Sequence, residues 1–389
     1  MVDNISPLPE RIADPPASPS RDGVGLCLSG GGYRAMLFHA GALWRLNELG
    51  WLPRLSFVSS VSGGSITAGV LAVKWLGLHF GDDGAATNFD AEIVRPLRAL
   101  ADHTIDVSSV LTGILVPGTT VGKRTTASLR RHLFGTATLA DLPDNPRFIL
   151  TATNLHSGSL WRFSKPYMRD WQVGRVLKPE VPLAQAVAAS AAFPPVLSPV
   201  TLEVDRGAWD PFETNPRGNT GPWPPRKIKL SDGGVYDNLG LQPVLRRCAT
   251  ILVSDGGSHI SYKAQVASDW ARHLSRVLSV MDNQVRSLRK TELIDDYQRG
   301  IFRGAYWGIR ADMSAYLLDA AKPVTDALDA PVAASTRLAE IGTRLAAMDE
   351  ATQERLIDWG YAICDVAMRG RVEPADRPAR FPYRRGISV

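Results

Sequence analysis

The sequence predicts an α/β protein: a doubly wound, mostly parallel sheet flanked by helices, followed by a helical C-terminal region. Three observations carry this. A short, fully apolar run, a glycine turn and a helical pattern follow one another at residues 24–50, and a second strand, glycine turn and apolar helix follow at residues 55–74. A short, fully apolar run such as 24–28 is what a strand buried on both faces requires, and βα repetition implies parallel pairing. Beyond residue 260 the apolar spacing changes to threes and fours, which is helical.

The elements follow in order. Residues 1–22 hold five prolines without periodicity and read as a loosely laid arm. Val24–Leu28 is a buried strand ending in Ser29-Gly30-Gly31-Gly32. A helix then carries Met36, Leu37, Ala40, Leu43, Leu46 and Leu49, with Gly50 as its stop. Leu55–Val61 is a second strand, turned by Gly63-Gly64 into an apolar helix from Ile66. Residues 90–104 and 124–134 have helical spacing, and Phe148–Thr153 and Leu160–Phe163 are strands. Ala184–Ala192 is a short helix stopped by Phe193-Pro194-Pro195. Residues 205–226, with five prolines, Trp209 and Trp223, form an ordered loop. Lys227–Leu230 and Thr250–Val253 are strands, each running into Ser-Asp-Gly-Gly. Val266, Trp270, Leu274, Val277, Met281, Val285 and Leu288 share one helix face, and residues 333–369 give a second amphipathic stretch. The expected organisation is an arm (1–22), an α/β body (23–310, with its motifs within 24–260), a helical region (311–370) and an extended basic tail (371–389).

Composition narrows the function. Among 389 residues, 44% are hydrophobic and 21% charged, as in a globular protein with a sizeable core. Three cysteines make no disulfide framework, and the start of the chain lacks the charged-then-apolar pattern of a leader, so a reducing, cytoplasmic setting is expected. No uninterrupted apolar run reaches the length of about 18 residues that a spanning helix needs; the segment from Ile66 to Phe80 is broken by Lys74. Net charge is a mild +5, and 35 of the 44 basic residues are arginine, which reads either as a codon bias toward arginine or as a weak attraction to anionic surfaces; peripheral membrane contact is the expectation under the second. The run Val110–Pro117, followed by Lys123, Arg124, Arg130 and Arg131, is a candidate interfacial lid, or else an ordinary buried segment. Nucleic acid is not an expected partner, because no basic run interleaves with aromatics. Oligomeric state is left open.

Three segments carry chemistry. In Gly30-Gly31-Gly32-Tyr33-Arg34, backbone N–H groups at a helix start suit a phosphate or a developing oxyanion. A dinucleotide fingerprint fits poorly, since Ala35 replaces its last glycine and no acid ends the second strand. A Walker loop is excluded by the lack of Gly-Lys-Ser/Thr. In Ser60-Val61-Ser62-Gly63-Gly64, Ser62 falls where a strand turns sharply into a helix, the setting of a nucleophile elbow; a plain serine-rich turn is the alternative. In Ser231-Asp232-Gly233-Gly234, an acid stands at a strand end, and Asp255-Gly256-Gly257 repeats the pattern. None of the seven histidines is placed as an evident base, His39 and His259 included, so a carboxylate beside the serine is the best base available.

Together these segments resemble the patatin-like phospholipases. The shared features are Gly30-Gly31-Gly32-x-Arg34, Ser62-Gly63-Gly64, Asp232-Gly233-Gly234, Phe38-His39-Ala40-Gly41-Ala42-Leu43 and Ala189-Ser190-Ala191-Ala192-Phe193-Pro194, while Ser60 departs from the family's glycine. The resemblance implies a patatin-like fold and a serine acyl hydrolase of phospholipase A type acting on acyl lipids. In that reading Ser62 is the nucleophile and Asp232 its base. Gly30, Gly31 and Gly32 form the oxyanion hole, with Arg34, Gly63, Gly64, Gly233 and Gly234 in support. No cofactor and no metal are implied. The alternative is a regulated or inactive lipid- or nucleotide-binding module on the same fold.

Overall fold

The computed structural model describes residues 22–388 without 106–120, 196, 211–223, 258–259, 261, 263, 374–376 and 384. The N-terminal arm, the run Val110–Pro117, His259 and Trp223 lie outside the described residues. The strands are β1 (Gly23–Leu28), β2 (Phe57–Val61), β3 (Arg147–Asn154), β4 (Ser159–Phe163), β5 (Tyr167–Asp170), β6 (Gly174–Leu177), β7 (Val200–Glu203), β8 (Lys227–Asp232), β9 (Cys248–Asp255) and β10 (Arg303–Gly308). The longer helices are α1 (Gly32–Glu48), α2 (Gly63–Lys74), α3 (Arg95–Ala101), α4 (Val121–Leu129) and α5 (Leu183–Ser190). After the four-residue α6 (Gly234–Asp237) come α7 (Trp270–Gln298), α8 (Met313–Leu318), α9 (Val332–Glu340) and α10 (Glu350–Arg371).

The sheet runs β10-β9-β1-β2-β3-β4-β5-β6, with β8 joined to β3 and β7 to β8. From β10 to β3 every pairing is parallel, as the two βα successions require; from β3 to β6, and through β8 and β7, every pairing is antiparallel. The sheet is therefore mixed. From β3 to β6 the strands are joined by short turns, which need no crossover helix, whereas α5 stands between β6 and β7. One pairing positions the site. β2 runs along β3 only as far as Val61, opposite Thr151; where β2 turns away, β8 takes over the same edge in the opposite direction, with Asp232 opposite Ala152. Ser62 and Asp232 thus converge on one point of one strand.

Helix α1 is buried along nearly its whole length because it lies between the sheet and α10. Its approach to α10 is close: a Cβ on Gly41 would lie 1.8 Å from the Ile357 carbonyl oxygen, and one on Gly360 would lie 1.9 Å from that of Phe38. Only glycine allows this contact. Leu43 and Leu46 on α1 and Leu356 and Ile363 on α10 share one core, and truncating such a leucine to alanine costs about 2–5 kcal/mol. The stretch 333–369 is two helices, because Gly342 interrupts it and Asp349 restarts it by accepting from the Thr352 N–H at 2.9 Å. The apolar stripe that spacing puts on one helix face is exposed along α7, and Val266 precedes the helix, which starts at Trp270. No described helix is long and apolar enough to cross a membrane.

Candidate active site

The elbow is built by two close approaches. Ser62 has φ +52° and ψ −120°, a conformation that costs a non-glycine residue about 1–3 kcal/mol and persists only where its surroundings hold it. Gly63 lies so near the glycine loop that a Cβ there would sit 2.1 Å from the Gly32 carbonyl oxygen. Hydroxyl groups hold the turn. The Ser62 N–H donates to Ser190 Oγ (2.9 Å), Ser190 Oγ meets Ser65 Oγ (2.8 Å), and Ser65 Oγ donates to Ser60 Oγ (2.9 Å). Since Ser65 gives its one proton to Ser60, the Ser190 proton goes to Ser65, and the chain ends on Ser60. Serine at position 60 thus has a partner that glycine would not supply.

The helix Leu183–Ser190 and the turn after it also hold the acid. The Gly233 N–H donates to the Ser190 carbonyl (3.1 Å), and the Asp232 N–H donates to that of Ala192 (2.9 Å). Ser190 therefore grips the Ser62 turn with its side chain and the Asp232 turn with its backbone. Spacing gave no reason to single out Ser190 or Ser65; only the fold shows that they share one network.

The two Asp-Gly-Gly acids have opposite environments. Asp232 is 2% exposed; its Oδ1 accepts from the Gly234 N–H (2.7 Å), while its buried Oδ2 has no hydrogen-bond partner among the described residues. Burial pushes its carboxyl up to about 7, opposed by the Gly234 N–H and by the hydroxyl of Ser62. Asp255 is also buried, and burial alone would raise it. Arg286, the Tyr306 hydroxyl (2.7 Å) and the Gly257 N–H (2.9 Å) outweigh that and hold it below the ordinary carboxylate range.

The glycine loop crosses beside the elbow. The Gly30 N–H donates to the Asn238 carbonyl at 3.3 Å, whereas those of Gly31 and Gly32 donate to no other group among the described residues. Gly32, at φ +60°, opens α1, so its N–H points out of a helix N-terminus. Arg34 turns away from the opening: it donates to the carbonyls of Gly256 (2.9 Å), Ala339 (3.0 Å) and Ile341 (2.6 Å). His39 lies beneath the loop, bonded to the Ser29 carbonyl (2.9 Å) and to Ser254 Oγ (2.8 Å). A carbonyl only accepts, so Nε2 carries the proton and Nδ1 accepts from Ser254. Burial lowers this histidine to about 4, so it is neutral.

A serine on a strained strand-to-helix elbow, beside a glycine loop at the end of a parallel half-sheet, is a layout that suits a serine hydrolase. The model of the patatin-like phospholipase family matches residues 26–245, more than half of the chain, and the protein belongs to that family of lipid hydrolases. Among solved structures, it is similar to human GIVD cytosolic phospholipase A2, at 14% identity over 90% of this chain and 61% of that one, with a TM-score of 0.49. It is also similar to VipD from Legionella pneumophila, at 15% identity over 90% of this chain and 67% of that one, with a TM-score of 0.35. The chain thus spans less than two thirds of the human structure. No curated protein matches it in sequence.

Proposed function

We propose that this protein releases fatty acid from phospholipids or related acyl lipids through a Ser62–Asp232 dyad, a phospholipase A type of reaction. The observation that carries this reading is the contrast between the two acids: Asp232 keeps an unpartnered carboxylate oxygen in the neighbourhood of Ser62, while both oxygens of Asp255 are engaged. A binding module without turnover has no use for a buried, unpaired carboxylate, which costs stability.

In the proposed reaction Ser62 Oγ attacks the ester carbonyl carbon as its proton passes to Asp232. The N–H groups of Gly31 and Gly32 stabilise the tetrahedral oxyanion, helped by the positive end of α1. Gly30, whose N–H is engaged by Asn238, shapes the loop. Collapse expels the alcohol with the proton from Asp232, leaving Ser62 acylated. Water then gives its proton to Asp232 and attacks the acyl carbon, and collapse frees the fatty acid as Asp232 returns that proton to the departing Ser62 Oγ. Arg34, Gly63, Gly64, Gly233 and Gly234 support the two turns. The three buried, unpaired cysteines suit a reducing compartment, and we place the enzyme in the cytoplasm at a lipid surface.

A fluorophosphonate probe with mass mapping tests the assignment. Wild type is expected to carry the label on Ser62 and Ser62→Ala to carry none, with mixed phospholipids yielding free fatty acid and lysolipid only from wild type. A label on another serine that persists in Ser62→Ala would overturn it.

A further inference from the structure

Helix α4 and the turn after it (130–134) bury one side and lend the other to a cavity. Thr125, Leu129 and Phe134 are buried, whereas Lys123, Arg130 and Arg131 are exposed. Lys123 and Arg130 stand seven residues apart, two helical turns, and so share a side, with Arg131 next to them. The three line a cavity of about 990 Å³, bounded across from them by Gln185 of α5, Glu203 of β7 and Lys227 of β8. Pockets that take small ligands have volumes of about 300–1,000 Å³. Ser62, Asp232 and the glycine loop do not line it. It is a second site on the elements that carry the first, since α5 runs on to Ser190 and β8 to Asp232.

The charge on its walls selects the ligand. Four basic side chains line the cavity, and the one acid among its described lining residues, Glu203, faces Lys227 at 3.6 Å. Lys123 is engaged by an interaction of its own, but neither Arg130 nor Arg131 has an acidic partner among the described residues. Their own stretch supplies none, since residues 107–140 contain no aspartate or glutamate. Two adjacent, uncompensated guanidinium groups therefore border the cavity. Each presents N–H donors in a fixed fork that matches the oxygens of a phosphate. A phosphate monoester puts about −1.5 to −2 of charge and three acceptor oxygens on one group, so it can answer both arginines at once, whereas a carboxylate carries a single charge. We propose that the cavity between α4 and β7 is a binding site for a phosphate monoester, borne on a small polyphosphorylated molecule or on a lipid headgroup. The site is separate from the reacting groups, and its existence does not rest on the Ser62–Asp232 reading.

The test uses the full chain as Ser62→Ala, so that no lipid probe is consumed. It is titrated calorimetrically with inositol hexakisphosphate and floated with phosphatidylcholine vesicles carrying either phosphatidic acid, a monoester, or phosphatidylglycerol, a diester. Both measurements are repeated with Arg130→Gln/Arg131→Gln added, and with Arg299→Gln/Arg303→Gln added, which removes the same charge from exposed arginines beside β10 at the far edge of the sheet. The first pair should weaken hexakisphosphate binding about tenfold or more, and the second should change it by less than about twofold. Arg131→Gln alone should give an intermediate loss, which separates lost binding from a folding defect of the pair. Capture by phosphatidic acid vesicles in preference to phosphatidylglycerol vesicles, lost with Arg130 and Arg131, would place the phosphate on a lipid. Titration by hexakisphosphate without such capture would place it on a soluble molecule. Equal losses in the two double variants would overturn the proposal, because net charge alone would then account for the binding, and so would the binding of no probe at all.

Discussion

At the residue scale, the pair Asp232 and Asp255 shows how surroundings give one motif two opposite titrations. Burial without a counter-ion raises Asp232 to about 7, so its proton leaves near neutrality, and ester hydrolysis should climb with pH through about 7 and then level off. An acid limb of kcat/KM near 4, measured with a soluble ester, would assign the base elsewhere. The same shift has a stability sign. The folded carboxyl titrates above its unfolded value of about 4, so the folded state holds the extra proton between about 4 and 7. Its contribution is fullest below about 4 and is lost as pH rises through 7. Asp232→Asn should therefore lose nearly all turnover and melt no lower than wild type at pH 8. Asp255 has the opposite sign, since its depressed carboxyl stabilises the fold above its unfolded value and the benefit is lost on acidification. Asp255→Asn should melt lower at neutral pH, by about 1–3 kcal/mol of stability for the weakened bonds. Calorimetry and the ester assay on the same samples read both.

At the element scale, the site is a meeting of two turns fastened by a third segment. Ser190→Ala removes the acceptor of the Ser62 N–H and breaks the hydroxyl chain to Ser65 and Ser60. The loss of a buried partner costs about 1–3 kcal/mol. Because the strained turn rests on that bond, kcat should fall by more than KM changes. A variant with wild-type kcat would show that the elbow holds itself. How much of this could be read from the chain depends on whether the information is local. The glycine turns after β1 and β2 follow from local spacing, and they place Ser62 at a strand-to-helix turn. The short strands Tyr167–Asp170, Gly174–Leu177 and Val200–Glu203 and the edge strand Arg303–Gly308 are not evident by pattern, because none is both long and uniformly apolar. The handover on β3 was equally hidden. The sequence suggests that Asp232 ends a parallel strand, whereas β8 runs antiparallel and meets Ser62 from the opposite direction. Pairing direction is set by long-range contacts that no window of residues contains. The stripe on α7 was visible as spacing, but spacing does not say whether a face is covered.

At the scale of the whole molecule, α1 and α10 are tied by a buried ion pair as well as by their glycine contact. Arg45 donates to Asp365 at 2.8 Å and to Glu48 at 2.9 Å, and Arg369 reaches the same Asp365 at 3.1 Å. Asp365→Ala would strand the buried Arg45, a loss of about 3–5 kcal/mol, and the double change Arg45→Met/Asp365→Leu should recover part of it. Urea unfolding of the three proteins measures this, and an unchanged midpoint for Asp365→Ala would show that water or another acid takes its place. The C-terminal third also reaches the glycine loop itself. Arg34 is held by the carbonyls of Ala339 and Ile341, and the Tyr33 N–H donates to that of Arg344. A ribosome making this chain releases every motif residue long before those three carbonyls. The nascent protein therefore carries Ser62 and Asp232 while the glycine loop still lacks these three contacts. On the proposed dyad mechanism, lipid hydrolysis should appear only once the last helices are in place, and a chain cut short before residue 339 should cleave no ester.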